Sequence, residues 1–197
     1  MSSGAACLAH TRLSLLDLAG SAQPFTSRDG RYVLTYNGEI YNHRELRVEL
    51  ASGWDFQTRG DVEVVLAAHA RWGEGALARL DGMFAFCVWD SHREEAFLAR
   101  DRLGVKPLVY TRRAHGLLFA SEAKALLAAE DRAPRAHAPS ILEYLVAPCF
   151  SGVEHGMFEH VEHLLPGHRM RVSRAGVEIA PWWEPRIEPG DLESTSL

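Results

Sequence analysis

Asn37-Gly38-Glu39 puts a side-chain amide, a bare backbone N–H and a carboxylate on consecutive residues, with Tyr36 and Tyr41 on either side. Two donors and an acid at one spot suit the holding of one small polar group. Residues 31–36 read as a strand, and the Asn-Gly step at its end predicts a tight turn, because both residues tolerate positive φ. Other candidates lie further off. Arg12 offers a guanidinium, whose ordinary role is a surface ion pair worth about 0–1 kcal/mol. Asp61 closes Thr58-Arg59-Gly60-Asp61, the spacing of a capping box ahead of a helix. His155, His160, His163 and His168, with Glu154, Glu159 and Glu162 among them, invite a metal reading. Their spacing matches no standard zinc site, so solvated polar residues before the Pro166-Gly167 turn are the better expectation. Cys7, Cys87 and Cys149 are odd in number and widely spaced, which gives neither a disulfide framework nor a CxxC pattern.

The elements that must position these groups follow from periodicity. Residues 5–9 and 31–36 read as strands. Residues 42–51 read as a helix with Leu46 and Leu50 four apart, and residues 61–72 as a second helix with Val62, Val65, Leu66 and Trp72 as its buried stripe. Residues 76–80 form a short helical piece. Residues 83–89 are apolar throughout, so both faces of that strand should be covered. Residues 96–99 return as its hairpin partner, and residues 108–112 and 117–120 form another hairpin. Ser121 is a candidate N-cap for a helix over 121–127, and residues 139–146 form a further helix. Consecutive hairpins mean antiparallel sheets, and strands buried on both faces with helices to cover them mean two stacked sheets with helical outer layers.

The totals limit the function classes. A chain of 197 residues with 47% hydrophobic and 24% charged content suits one domain plus a tail, and residues 185–197 read as a linker or frayed tail. A net charge of −5 without a basic block gives no footprint for nucleic acid. No apolar run is long enough to span a bilayer and no secretory start is visible, so a cytoplasmic location is the expectation.

Seven motifs in order carry a resemblance: residues 10–17 (HTRLSLLD), 22–24 (AQP), 37–42 (NGEIYN), 58–61 (TRGD), 81–86 (DGMFAF), 100–108 (RDRLGVKPL) and 119–127 (FASEAKALL). Together they resemble the glutaminase domain of glutamine-dependent asparagine synthetases, a class II glutamine amidotransferase and N-terminal-nucleophile hydrolase. Residues 164–168 (LLPGH) and Trp182-Trp183 resemble the segment leading toward the synthetase domain, so the likeness covers residues 8–184, and without that domain the tryptophan pair is expected to be left exposed. The resemblance implies an α+β fold, a four-layer αββα sandwich of two antiparallel sheets with outer helices, here without its first strand. It implies glutamine as ligand. Arg12 would clamp the α-carboxylate, Asp61 and Glu39 would suit the ammonium, and the Asn37 amide with the Gly38 N–H would form the oxyanion hole.

Two departures shape the expected chemistry. The family's nucleophile is an amino-terminal cysteine followed by Gly and Ile, with its own α-amine as base. This chain opens Met1-Ser2-Ser3-Gly4, so the nucleophile is expected to be absent and the chain inactive alone. Cys7 reads as a small core or strand residue, Cys87 as inert in its apolar strand, and Cys149 as reactive only if exposed. The ATP-binding loop of the synthetase domain is also absent, so no cofactor is expected here; ATP and magnesium would belong to that domain. Glutamine, a synthetase domain or a second copy of the chain are the implied partners. The alternative is a non-catalytic module that senses glutamine or docks on a partner.

Overall fold

Side chains that alternate between two apolar environments build the central strands, and helices close the outer faces. The computed structural model describes residues 6–11, 22–114, 116–130, 133–147 and 155–186. In chain order these form β1 (Phe25–Thr26), β2 (Tyr32–Ile40), α1 (His43–Leu50), α2 (Asp61–Trp72), a 3-10 turn (Gly73–Ala76), β3 (Gly82–Asp90), β4 (Glu95–Arg100), β5 (Val109–Arg113), β6 (Gly116–Ala120), α3 (Ala123–Ala128), α4 (Ala138–Val146), β7 (Glu162–His163), β8 (His168–Ser173) and β9 (Gly176–Pro181). The fold is α+β with two antiparallel sheets, of order β1-β2-β3-β4-β8-β9 and β6-β5-β7.

Strand alternation separates two cores. Leu34, Tyr36 and Ile40 of β2, with Phe84, Phe86 and Val88 of β3, pack with α1 and α2. Val33, Ala85, Cys87 and Trp89 point the other way, where they meet Leu108 and Tyr110 of the smaller sheet's side. A third cluster sets Val109 against Leu126 of α3. The apolar run of β3 is therefore covered on both faces, as its composition requires.

Several expectations change. No strand forms over residues 6–9; Cys7 contributes a single bridge position and is exposed, while Leu8 beside it is buried. The expected turn at Asn37-Gly38 does not form. β2 continues through both residues to Ile40, with Asn37 opposite Ala85 and Gly38 opposite Phe84. The N-cap of α2 is Gly60, without a side-chain bond, so Asp61 is the first helical residue and not the closing member of a capping box. Glu122, not Ser121, is the N-cap of α3. Residues 73–76 form the 3-10 turn expected as a helical piece slightly later. Trp182 is packed: it stacks on Phe84 at 6.0 Å and donates Nε1–H to the Arg100 carbonyl at 3.0 Å. Cys149, Glu154 and residues 187–197 of the expected tail lie outside the described residues.

Candidate functional site

The edge of β2 ahead of α1 is where the candidate groups gather. Phe84 uses its own N–H and carbonyl on the far side, donating to Asp101 Oδ2 at 3.1 Å and accepting from the Asp101 N–H at 2.8 Å. Gly38 opposite it therefore points its backbone groups outward, to the same edge as Tyr36 and Ile40, because the antiparallel ladder repeats every two residues. At Tyr36 that edge is filled by one side chain. Gln23 accepts the Tyr36 N–H through Oε1 at 2.6 Å and donates Nε2–H to the Tyr36 carbonyl at 2.9 Å, standing in for a strand neighbour. At Ile40 the edge is filled by Asp61, whose Oδ2 accepts the Ile40 N–H at 3.1 Å. Gly38 lies between them in a notch, with about 7 Å separating its nitrogen from that of Ile40 at strand rise.

The bare backbone at this notch is enforced by packing. A Cβ on Gly38 would sit 2.3 Å from the Met83 carbonyl oxygen and 2.9 Å from Cε2 of Tyr36. Asp61, only 6% exposed, takes a second bond on the same Oδ2, from the Tyr36 hydroxyl at 2.7 Å. Burial, then the adjacent Asp61 charge, raises the Tyr36 phenol well above its ordinary value, so it stays a neutral donor. Asp61 also begins a 12-residue helix, where the helix dipole favours negative charge.

Behind the edge, between the two sheets, lies a cavity of about 470 Å³. His10, Thr11, Asn37, Phe119, Ser121 and Glu122 are among its walls, so three segments far apart in sequence converge there. The Asn37 amide is half-buried, with Nδ2 a long 3.5 Å from Ser121 Oγ. Glu122 and Lys124 form an exposed ion pair of 2.6 Å at the rim. Gly38 and Asp61 stand on the strand edge outside this wall, and Glu39 is exposed. Arg12 lies outside the described residues. Gln23 and Tyr36 were missed by reasoning from sequence. The Gln-Pro step was visible, but nothing in its spacing says that the amide caps a strand.

The thiols are unlike one another. Cys87 is fully buried in β3, and burial raises its thiol far above the ordinary range. Cys7 is exposed and lines the cavity. Among the described residues no three of His, Cys, Asp and Glu converge as metal ligands. His163 is shifted downward by burial and by Arg100, while His168 shares Nδ1 with the Pro166 carbonyl at 2.9 Å. No helix among the described residues is long and apolar enough to cross a membrane.

The family model described as "Glutamine amidotransferase domain" matches residues 1–183. Asparagine synthetase [glutamine-hydrolyzing] 3 of Bacillus subtilis is 38% identical over 182 residues, covering 91% of this chain and 30% of that protein. Asparagine synthetase [glutamine-hydrolyzing] 1 of the same organism is 44% identical over 190 residues, 94% of this chain and 29% of that protein. The chain thus spans under a third of these relatives' length. Among solved structures, the glutamine phosphoribosylpyrophosphate amidotransferase of B. subtilis superposes with a TM-score of 0.58 at 22% identity, over 83% of this chain and 32% of that one.

Proposed function

Because the chain belongs to the class II glutamine amidotransferase domain family, we propose that it is an asparagine-synthetase-type module whose β2 edge and adjoining cavity hold glutamine. The observation that carries this reading is the convergence of residues 10–11, Asn37 and residues 119–122 on one cavity, beside the open Gly38 N–H. Glutamine brings a neutral amide, an ammonium and an α-carboxylate. The Asn37 amide and the Gly38 N–H are two donors for the oxygen of the amide, the oxyanion-hole role. Asp61, with Glu39 further out, takes the ammonium, and Arg12 pairs with the α-carboxylate. The about 7 Å between Gly38 and Ile40 along the strand matches the reach of a five-carbon amino-acid amide.

The three core clusters support the finer reading of a four-layer sandwich, with helices outside two sheets. Hydrolysis would need a thiolate with a base beside it. Burial holds the Cys87 thiol protonated, so it is not that thiolate, and on this reading the chain by itself binds glutamine without cleaving it. In a longer protein such a module would supply ammonia for asparagine formation, and ATP and magnesium would act elsewhere. A second reading, a glutamine-sensing or partner-docking module, is favoured by Leu142, Leu145 and Val146, which stand exposed on α4.

Calorimetry with glutamine, paired with an ammonia-release assay, tests the proposal. Saturable binding without ammonia is expected, together with a weakening of at least about tenfold in Arg12→Ala, the size of a lost charge-assisted pair. Absence of any glutamine binding by the folded chain would overturn it. Ammonia release abolished by Cys7→Ala would overturn the assignment of the thiols.

A further inference from the structure

The Asp61 carboxylate divides its oxygens unequally. Oδ2 takes two bonds, from the Tyr36 hydroxyl at 2.7 Å and the Ile40 N–H at 3.1 Å. Oδ1 has no bond to a described residue, and it is not one of the buried polar atoms left without a partner. One oxygen is thus pinned by the fold while the other takes no bond from a described residue. The pin is itself held. Tyr36 is 4% exposed, and its backbone N–H and carbonyl are both gripped by Gln23. A phenol anchored at both its backbone and its hydroxyl has almost no rotamer freedom left to lose.

We propose that Tyr36 is a positioning residue for ligand recognition: its hydroxyl fixes the Asp61 carboxylate so that Oδ1 stays directed at the ammonium of a bound α-amino acid. This rests on the reading that glutamine occupies the β2 edge. Without the hydroxyl, the carboxylate keeps only the Ile40 N–H, and it can rotate or take a water in place of the ligand. The effect is confined to the ammonium. The carboxamide is held separately, by Asn37 and Gly38.

Glutamine and glutaramate, which is glutamine without its α-amino group, separate the two. In the wild-type chain glutamine should bind at least about tenfold more tightly than glutaramate. In Tyr36→Phe the glutamine Kd should rise about 5- to 20-fold while that for glutaramate moves less than about twofold. Asp61→Asn keeps an oxygen acceptor for Tyr36 and Ile40 but removes the charge. It should bring glutamine down to the affinity of glutaramate, and adding Tyr36→Phe should then change little. Equal weakening of both ligands in Tyr36→Phe would mean a merely structural hydroxyl, and unchanged glutamine binding would mean no role; either overturns the assignment. Wild-type protein that binds both ligands alike would show that Asp61 serves the fold alone. Wild-type protein that binds neither overturns the glutamine reading beneath, and this assignment with it.

Discussion

At the scale of single residues, Gly38 is held to glycine by its neighbours and not by its own backbone angle. It lies in the extended strand, and its missing Cβ leaves room for the Met83 carbonyl. Gly38→Ala should therefore destabilise the chain by about 1–3 kcal/mol, the usual cost of forcing atoms into a filled space. It should also weaken glutamine binding, because relief of the clash moves the donor. Urea unfolding alongside glutamine calorimetry checks both, and unchanged stability would mean that β3 shifts freely. The types of these residues were legible in the sequence and their conformation was not. Asn-Gly is a strong turn signal on local grounds, yet pairing with β3 across Ala85 and Phe84 outweighs that preference. Gln23 stands in one of the motifs that carry the resemblance, but its role was not legible there. A side chain that replaces a strand partner leaves no period in the chain.

At the scale of elements, α2 was placed correctly at residues 61–72, but what anchors its start was not. The anchoring carboxylate is Glu63, at the third helical position and 1% exposed. It accepts the backbone N–H of Gln57 at 2.9 Å and of Thr58 at 2.6 Å, the Thr58 hydroxyl at 2.8 Å and Trp54 Nε1–H at 3.2 Å. The spacing of residues 58–61 suggests the right device with the wrong acid, because a reach-back carboxylate is set by where the helix begins and not by a tetrapeptide alone. Glu63 ties residues 54–58 over the helix whose first residue is Asp61. Glu63→Gln turns an amide N–H₂ toward donors, so about 2–3 kcal/mol of stability should be lost. Amide exchange at Gln57 and Thr58 should accelerate before that of α2 itself. Protection unchanged at both amides would show that another contact holds the loop. Asp101 plays a similar part after β4, accepting the N–H groups of Phe84, Leu103, Val105 and Lys106. A conspicuous charged motif, residues 100–108, is therefore at least partly a structural clamp. Arg100 likewise donates to the carbonyls of Gly104, Lys106 and Leu164.

At the scale of the whole molecule, the far edge of the larger sheet was the least legible part. β8 shows only Met170 fully buried, and its arginines are ion-paired with other elements: Arg169 with Glu74 and Glu178, Arg171 with Glu74 and Glu95. A strand whose ion pairs reach back to Glu74 and Glu95, and forward to Glu178, has no strong apolar period of its own. The same assembly traps a titratable group. His69 of α2 packs against Phe97 of β4 at 5.0 Å and meets the Tyr32 ring edge-on at 6.0 Å, with its Nδ1 buried and unpartnered. Burial lowers its pKa from 6.5 to about 4; Asp90 opposes the shift, while Arg93, Arg171 and Arg31 reinforce it. Above pH 6.5 the imidazole is neutral in both folded and unfolded chains and stability does not depend on it. Between pH 6.5 and about 4 the unfolded chain takes up a proton that the folded one refuses, so stability falls as pH falls. Below about 4 both are protonated and the deficit stops growing, at roughly 3–4 kcal/mol. His69→Phe keeps an aromatic ring against Phe97 and removes the proton. Unfolding free energies measured in urea at steps from pH 7.5 to 4.5 should decline less steeply in the variant, with the two curves diverging only below pH 6.5. Parallel curves across that range would mean that His69 reaches solvent in the folded chain, and that the seam between α2 and the sheet is looser than its packing implies.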